Sequence, residues 1–277
     1  MSSPRKLLAE RKLIAQKGRG QHFLMDPGVI RAILEKADPD LKVPVLEIGP
    51  GLGAMTKPLL ERGFTVVAVE LDRGLVRYLE EELQPLAPER LKLITGDILE
   101  IDLNKLTAAF GGPFFVLGNL PYQISSPLLF KLLGARSAVT GAALMLQREV
   151  ADRLTAEPGT KSYGRLSVIF SYFARVIRLM DIGPAVFYPR PKVGSTMLKI
   201  IFKDVFEPPV SSERLFLEVV QAGFAKRRKT LRNALLSVFA RETVDTALKL
   251  AGIEPSRRGE TLSASEFVAL ANAIQER

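Results

Sequence analysis

The sequence predicts an α/β protein with a mostly parallel sheet, followed by a small all-helical domain at its C-terminal end. Three observations carry that prediction. Between residues 43 and 154 apolar runs alternate with helix-period segments, which is the rhythm of βαβ units. The first four runs each end at a glycine or an acid, at the sheet edge where α/β proteins bind ligands. After a Pro-rich break from Glu207 to Pro209 every segment has helical spacing, so a boundary near residue 206 divides the chain into 1–205 and 206–277.

Taken in order, Val43 to Ile48 reads as the first strand and Gly49 to Gly53 as a glycine turn. Leu52, Met55, Leu59 and Leu60 then mark a helix face. Thr65 to Val69 is a second strand closed by Glu70, Leu75 to Leu83 a helix, and Leu91 to Thr95 a third strand. Phe114 to Leu117 is a fourth, running into Gly118 and Asn119. Pro127 to Leu133 reads as helix and Ala142 to Leu146 as a fifth strand, with a helix following through Val150 and Leu154. Pro158 and Gly159 make 156–161 a loop, and Arg175 to Met180 and Ser195 to Phe202 complete the sheet. The C-terminal helices are Ser212 to Ala225, Thr230 to Ala240, Val244 to Ala251 and Ser263 to Ile274.

Composition narrows the chemistry. A chain of 277 residues, 47% of them hydrophobic, can fill a sizeable core. Thirty-nine Lys and Arg against thirty Asp and Glu leave +9, a surplus that suits a polyanionic partner such as RNA or an anionic membrane. There is no cysteine, and His22 is the one histidine. Disulfides, thiolate or multi-His metal sites, a cysteine nucleophile and His-based triads are thereby excluded, so no metal is expected and chemistry must run on positioning, amides, carboxylates or a cofactor. The arm from Met1 to Gly20 holds six basic residues and one acid, without the apolar segment of a signal peptide, and no stretch is long enough for a membrane span. A cytoplasmic location is expected.

The glycine turn, with Gly49 and Gly51 at its start, lets a ligand approach the backbone closely at a helix N-terminus. Read from Gly49 through Ala54 it also satisfies a dinucleotide fingerprint, with Glu70 where a ribose-binding acid belongs. Pro50 argues against a dinucleotide. It offers no N–H where a pyrophosphate wants every amide, whereas a sulfonium ligand with a carboxylate and no phosphate tolerates that loss. Glu70 and Asp97 then stand at successive strand ends, one suited to ribose hydroxyls and the other to an adenine amino group. Either acid alone reads equally as a loop carboxylate or helix cap.

Asn119-Leu120-Pro121-Tyr122 resembles the fourth-strand signature of amino-methyltransferases that act on adenine, although Asn and Pro also make ordinary turns. Acceptors on the Asn119 side chain and the Leu120 carbonyl would bind both N–H groups of an exocyclic amine and favour its pyramidal form. Tyr122 would stack on the target base and Phe187 could clamp its other face, the bland alternative for both being core packing.

With those motifs in place the chain resembles the bacterial small-subunit ribosomal RNA adenine N6,N6-dimethyltransferase family, known for kasugamycin resistance. The likeness runs from Lys17-Gly18-Arg19-Gly20-Gln21-His22-Phe23-Leu24 through both strand-end motifs. It continues in Gln147 to Val150, Tyr163 to Ser167, Phe187 to Val193, Arg227 to Asn233 and Glu260 to Ser263. The resemblance implies a class I, Rossmann-like fold with S-adenosyl-L-methionine as cofactor. It places cofactor contacts on His22, Leu24, Gly49, Glu70, Asp97 and Asn119, and the base site on Asn119, Leu120, Pro121, Tyr122 and Phe187. The implied reaction dimethylates two adjacent adenosines near the 3′ end of 16S rRNA on a small-subunit precursor, late in ribosome biogenesis, by a monomeric enzyme. Two positions depart from the common pattern: His22 stands where Asn is frequent, and Gln123 where Asn often follows the Tyr. Both can still hydrogen-bond.

Lys226, Arg227, Arg228, Lys229 and Arg232 form an acid-free basic run, with Arg228 and Arg232 expected on one helical face for consecutive phosphates. Arg5, Lys6, Arg11, Lys12, Lys17 and Arg19 supply a second basic patch. Three rivals compete with this assignment: a macrolide-resistance methyltransferase of large-subunit RNA, a nicotinamide oxidoreductase, and a non-catalytic assembly factor. The Tyr163, Phe187 and Glu260 motifs favour the small-subunit enzyme over the first, and intact Glu70, Asp97 and Asn119 argue against the last.

Overall fold

A computed structural model describes residues 4–16, 20–226 and 228–275. In chain order the main elements are α1 (Pro4–Glu10), β1 (Phe23–Leu24), α2 (Pro27–Ala37), β2 (Val45–Ile48), α3 (Thr56–Glu61) and β3 (Val66–Glu70). Next come α4 (Arg73–Glu82), β4 (Leu91–Thr95), α5 (Leu103–Ala109), β5 (Phe114–Asn119), α6 (Ser125–Gly134) and β6 (Val139–Gln147). They are followed by α7 (Arg148–Leu154), α8 (Arg165–Phe173), β7 (Ala174–Ile182), β8 (Phe187–Tyr188) and β9 (Ser195–Phe202). The last helices are α9 (Glu213–Phe224), α10 (Leu231–Leu235), α11 (Arg241–Leu250) and α12 (Ala264–Gln275).

The α/β class is as expected. Seven strands form one sheet in the order β4-β3-β2-β5-β6-β9-β7, with β4 through β6 mutually parallel and β9 antiparallel to β6. Every residue of β2 and β3 is buried, including Glu47, because helices cover both faces of a parallel sheet and the strand must be apolar on both sides. The strand order reverses at β2, where β3 lies on one side and β5 on the other, so the loops after β2 and β5 diverge and leave a crevice.

Local chemistry explains the elements that periodicity missed. Asp26 caps α2 by accepting from Val29 N–H ahead of Pro27, and Asp102 caps α5 by accepting from Asn104 and Lys105. The apolar face of α5 is short, whereas α2 carries Ile30, Ile33, Leu34 and Ala37 along one stripe, so both caps and the α2 face were visible in the sequence. Strands β1 and β8 pair antiparallel, Phe23 with Tyr188 and Leu24 with Phe187. Two-residue strands so far apart in sequence leave no periodic signal.

By compactness the chain divides into Met1–Ala151 with Ile177–Phe202, and Asp152–Val176 with Lys203–Arg277. The C-terminal unit thus includes 152–176, which a single cut near residue 206 assigns elsewhere. The reason is α8, whose residues from Ser167 to Phe170 are all buried and which packs on α9 and α12. A helix apolar on most sides lacks the amphipathic stripe by which sequence reveals it. Within this unit Tyr163 donates its buried hydroxyl to the Leu262 carbonyl at 2.7 Å. Ser263 and Glu266 form a capping box for α12: Glu266 N–H bonds the Ser263 hydroxyl, and Ser263 N–H the Glu266 carboxylate. The helix expected over Thr230 to Ala240 is shorter, because Ser237 donates its hydroxyl to the Ala234 carbonyl and the turn tightens at Val238.

Candidate active site

The loops after β2, β3, β4 and β5 surround one cleft within the N-terminal unit. It brings together His22, Leu24, Gly49, Gly51, Glu70, Asp97, Asn119, Leu120, Pro121, Tyr122 and Phe187. Gly49 turns the chain at φ +66°, and a Cβ built there meets nothing within 4 Å, so the backbone borders open cleft. Gly51, at φ +59°, lies under the Phe23 ring, which a Cβ would approach to 3.0 Å. Its N–H donates to Glu70 Oε2 at 3.2 Å. A side chain at Gly51 would therefore strain the turn and press on Phe23.

Glu70 also accepts from Asp72 N–H at 2.9 Å through Oε1. Burial raises its pKa above the ordinary carboxylate range, with the Asp72 and Gly51 amides opposing that shift. Its neighbour in the sheet, Glu47, is fully buried and accepts from the Thr56 hydroxyl at 2.7 Å, while Oε1 has no hydrogen-bond partner among the described residues. Burial, opposed by Thr56 and reinforced by the charge of Glu70, pushes Glu47 up to about 7. An acid inside an apolar strand was the sequence signal for Glu47, and the sequence reading passed over it. Asp97 spends Oδ1 on the Leu99 N–H at 2.8 Å, a local turn, and lines the cleft as well.

Asn119 closes the arrangement. It ends β5, and its Nδ2 donates to the His22 carbonyl oxygen at 2.8 Å. That bond commits the amide group to the wall and leaves Oδ1 as an acceptor. No donor among the described residues reaches the Leu120 carbonyl, whereas the Pro121 carbonyl already accepts from Ile124 and Ser125. His22 Nδ1 pairs with the Pro189 carbonyl at 2.6 Å, so the ring carries its proton on that nitrogen when neutral. The ring lies 5.8 Å from that of Tyr122. Tyr122 bonds Ser195, and burial raises its pKa. Phe187 lines the cleft but is 2% exposed and belongs to the core with Leu24 and Met197. Leu71, Ile98 and Ser195 also line the cleft and were missed; the first two directly follow the strand-end acids.

The basic run is different from its expected form. Lys226, Arg228 and Lys229 are exposed in a turn rather than on a helix, so Arg228 and Arg232 share no helical face. Arg232 makes a bidentate ion pair with Asp245, at 2.5 and 2.8 Å, and its charge is locally neutralised. Arg227 lies outside the described residues, as do Lys17 and Arg19 of the arm. Arg11 is likewise engaged, pairing with Glu81 and Glu82 on α4.

A family model described as ribosomal RNA adenine dimethylase matches residues 14–276. A relative named ribosomal RNA small subunit methyltransferase A, from Aromatoleum aromaticum, is 45% identical over 261 residues, covering 94% of each chain. Its namesake in Moorella thermoacetica is 40% identical over 277 residues, covering 97% of this chain and 96% of the relative. Among solved structures, a dimethyladenosine transferase from Plasmodium falciparum superposes with a TM-score of 0.76 at 25% identity, covering 90% of this chain and 95% of that one. The 23S rRNA methyltransferase ErmE shares the fold, with a TM-score of 0.70 at 24% identity and coverage of 91% and 99%. The chain belongs to the ribosomal RNA adenine dimethylase family.

Proposed function

We propose that the cleft dimethylates N6 of two adjacent adenosines near the 3′ end of 16S rRNA, on a late small-subunit precursor in the cytoplasm, and that the enzyme acts as a monomer. As a family member the chain is an rRNA adenine methyltransferase, and its methyl donor is S-adenosylmethionine. No described helix is long and apolar enough to cross a membrane. The observation that carries the substrate reading is the fixed Asn119 carboxamide beside the Leu120 carbonyl, which no donor among the described residues reaches.

The residues present fit the donor. Glu70 has a largely buried carboxylate at the strand end, suited to two ribose hydroxyls, and the open backbone at Gly49 admits a ligand without a phosphate. When bound, S-adenosylmethionine supplies an electrophilic methyl group on a sulfonium centre. The protein's task is then to aim the nucleophile. An adenine amine is poor because its lone pair is delocalised into the ring. In the first transfer Asn119 Oδ1 and the Leu120 carbonyl accept its two N–H groups, hold nitrogen in the pyramidal form and point the lone pair along the transfer axis, and in the second one of these acceptors takes the single N–H that remains. Nitrogen becomes acidic once methylated, so its proton leaves without a general base. Tyr122 stacks on the extruded base.

Labelled methyl transfer onto unmodified small subunits, with product nucleosides mapped by mass spectrometry, tests the reading. Two neighbouring N6,N6-dimethyladenosines near the 3′ end are expected, and label confined to large-subunit RNA would overturn it. Replacing Glu70 by Ala should weaken S-adenosylmethionine binding by about 2 kcal/mol or more, the scale of hydrogen bonds to a charged group. Calorimetry giving wild-type affinity in a folded variant would remove Glu70 from the site.

For the RNA, exchanging Lys226, Arg228 and Lys229 together for Ala should flatten the salt dependence of subunit binding by about two to three units of slope. Arg232→Ala should change it less, because Asp245 already neutralises that charge. Equal slopes for the triple variant and wild type would reduce the run to solvated surface.

A further inference from the structure

Beside Tyr122, which bonds Ser195, the cleft is lined by Pro191 and Ser195 of the segment 190–195, and the end of β6 pairs with that segment behind them. Pro191 and Ser195 line the cleft and are buried, while Arg190 and Lys192, on either side of Pro191, are exposed. Gln147, the last residue of β6, pairs with Ser195, and Arg148 follows it with N–H donated to the Gly194 carbonyl at 3.1 Å. A Cβ at Gly194 would stand 3.4 Å from Arg148 Nη2, so the exposed guanidinium lies against the backbone of the same loop. No carboxylate among the described residues forms an ion pair with Arg148, Arg190 or Lys192. The nearby acid, Asp181, is already engaged by Arg178 at 2.9 Å and Thr196 at 2.7 Å.

We propose that Arg148, Arg190 and Lys192 form a phosphate cradle at the mouth of the base pocket, holding the RNA backbone on either side of the adenosine whose base enters it. The inference rests on the adenosine reading above. A base drawn out of its stack stays tethered to a ribose and two phosphates, which must pass over whatever rims the pocket. Here the rim consists of the neighbours of two pocket-lining residues, and it carries three exposed cations, of which Arg148 is attracted to Asp181 without closing an ion pair. Phosphate contacts carry no sequence information, yet they fix register. These three act as positioning residues within the same compact unit as the base site.

The test uses the full chain with Arg148, Arg190 and Lys192 all changed to Gln. A second variant, R148K/R190K, keeps the charges. With unmodified small subunits, the Gln variant should show a salt slope lower by about two to three units and single-turnover transfer at least tenfold slower at saturating subunit. S-adenosylmethionine affinity by calorimetry should stay at the wild-type value, and R148K/R190K should recover most of the rate. Wild-type slope and rate in the Gln variant, beside an active wild-type enzyme, would overturn the cradle alone. A rate loss that R148K/R190K shares fully would also overturn it, since charge would then not be the cause. A wild-type chain that leaves small-subunit RNA unlabelled removes both the cradle and the substrate reading.

Discussion

Asn119→Ala is expected to lose about a hundred- to a thousandfold in single-turnover methyl transfer while the protein stays folded and still binds small subunits. The magnitude follows deletions of a preorganised hydrogen-bonding group aimed at a reacting centre. The cause is local: without the carboxamide, nothing converts the His22 carbonyl into a support for an acceptor at the end of β5. Subunit binding rests on distributed phosphate contacts, so one neutral side chain should leave it nearly unchanged. The assay must run at saturating S-adenosylmethionine, which separates chemistry from cofactor binding. Transfer within threefold of wild type under those conditions would falsify the role given to Asn119. A variant that binds but does not transfer should also remain longer on immature subunits.

The second large effect concerns Glu47 and needs no ligand. Its carboxyl is fully buried, and its pKa is raised from 4.5 to about 7. A group whose pKa is higher in the folded state stabilises fully below its unfolded value, and that contribution is lost as pH rises through the folded value. Wild-type stability should therefore fall between about pH 5 and pH 8 by an amount on the order of 3 kcal/mol from this residue. Glu47→Gln retains an oxygen for the Thr56 hydroxyl and cannot ionise. Its stability should match wild type near pH 5 and exceed it above pH 7.5. Urea unfolding at both pH values measures this, and parallel pH profiles for the two proteins would show that Glu47 is not the titrating group.

Much of the sheet was legible because buried parallel strands such as β2 and β3 read as unbroken apolar runs, and even the edge strand β4 and the antiparallel β9 were bounded correctly from their residues alone. The strand-end acids and Asn119 were legible for the same reason, since each sits at the abrupt end of such a run. What escaped was whatever depends on partners far away in sequence. Leu24 meets Phe187 across a two-residue pairing, and Arg232 meets Asp245 from another helix, so the partner of Phe187 and the neutralised charge of Arg232 could not be read locally, although core packing was an open alternative for Phe187. Arg228 is left off the α10 helix by a turn closed from Lys229 N–H to the Lys226 carbonyl, in a basic stretch that has no apolar residue whose spacing could mark it.

The bond from Asn119 to His22 is made to the main chain of residue 22. Any amino acid that holds the same backbone path offers the same carbonyl, so the residue that orients the acceptor is free to vary in its side chain. That accounts for a histidine standing where asparagine is frequent, with no cost to the acceptor. Exchanging His22 for Asn should alter the contact with Pro189 and leave the carboxamide where it is. What residue 22 supplies is the course of the backbone, and the pairing of β1 with β8 immediately after it holds that course.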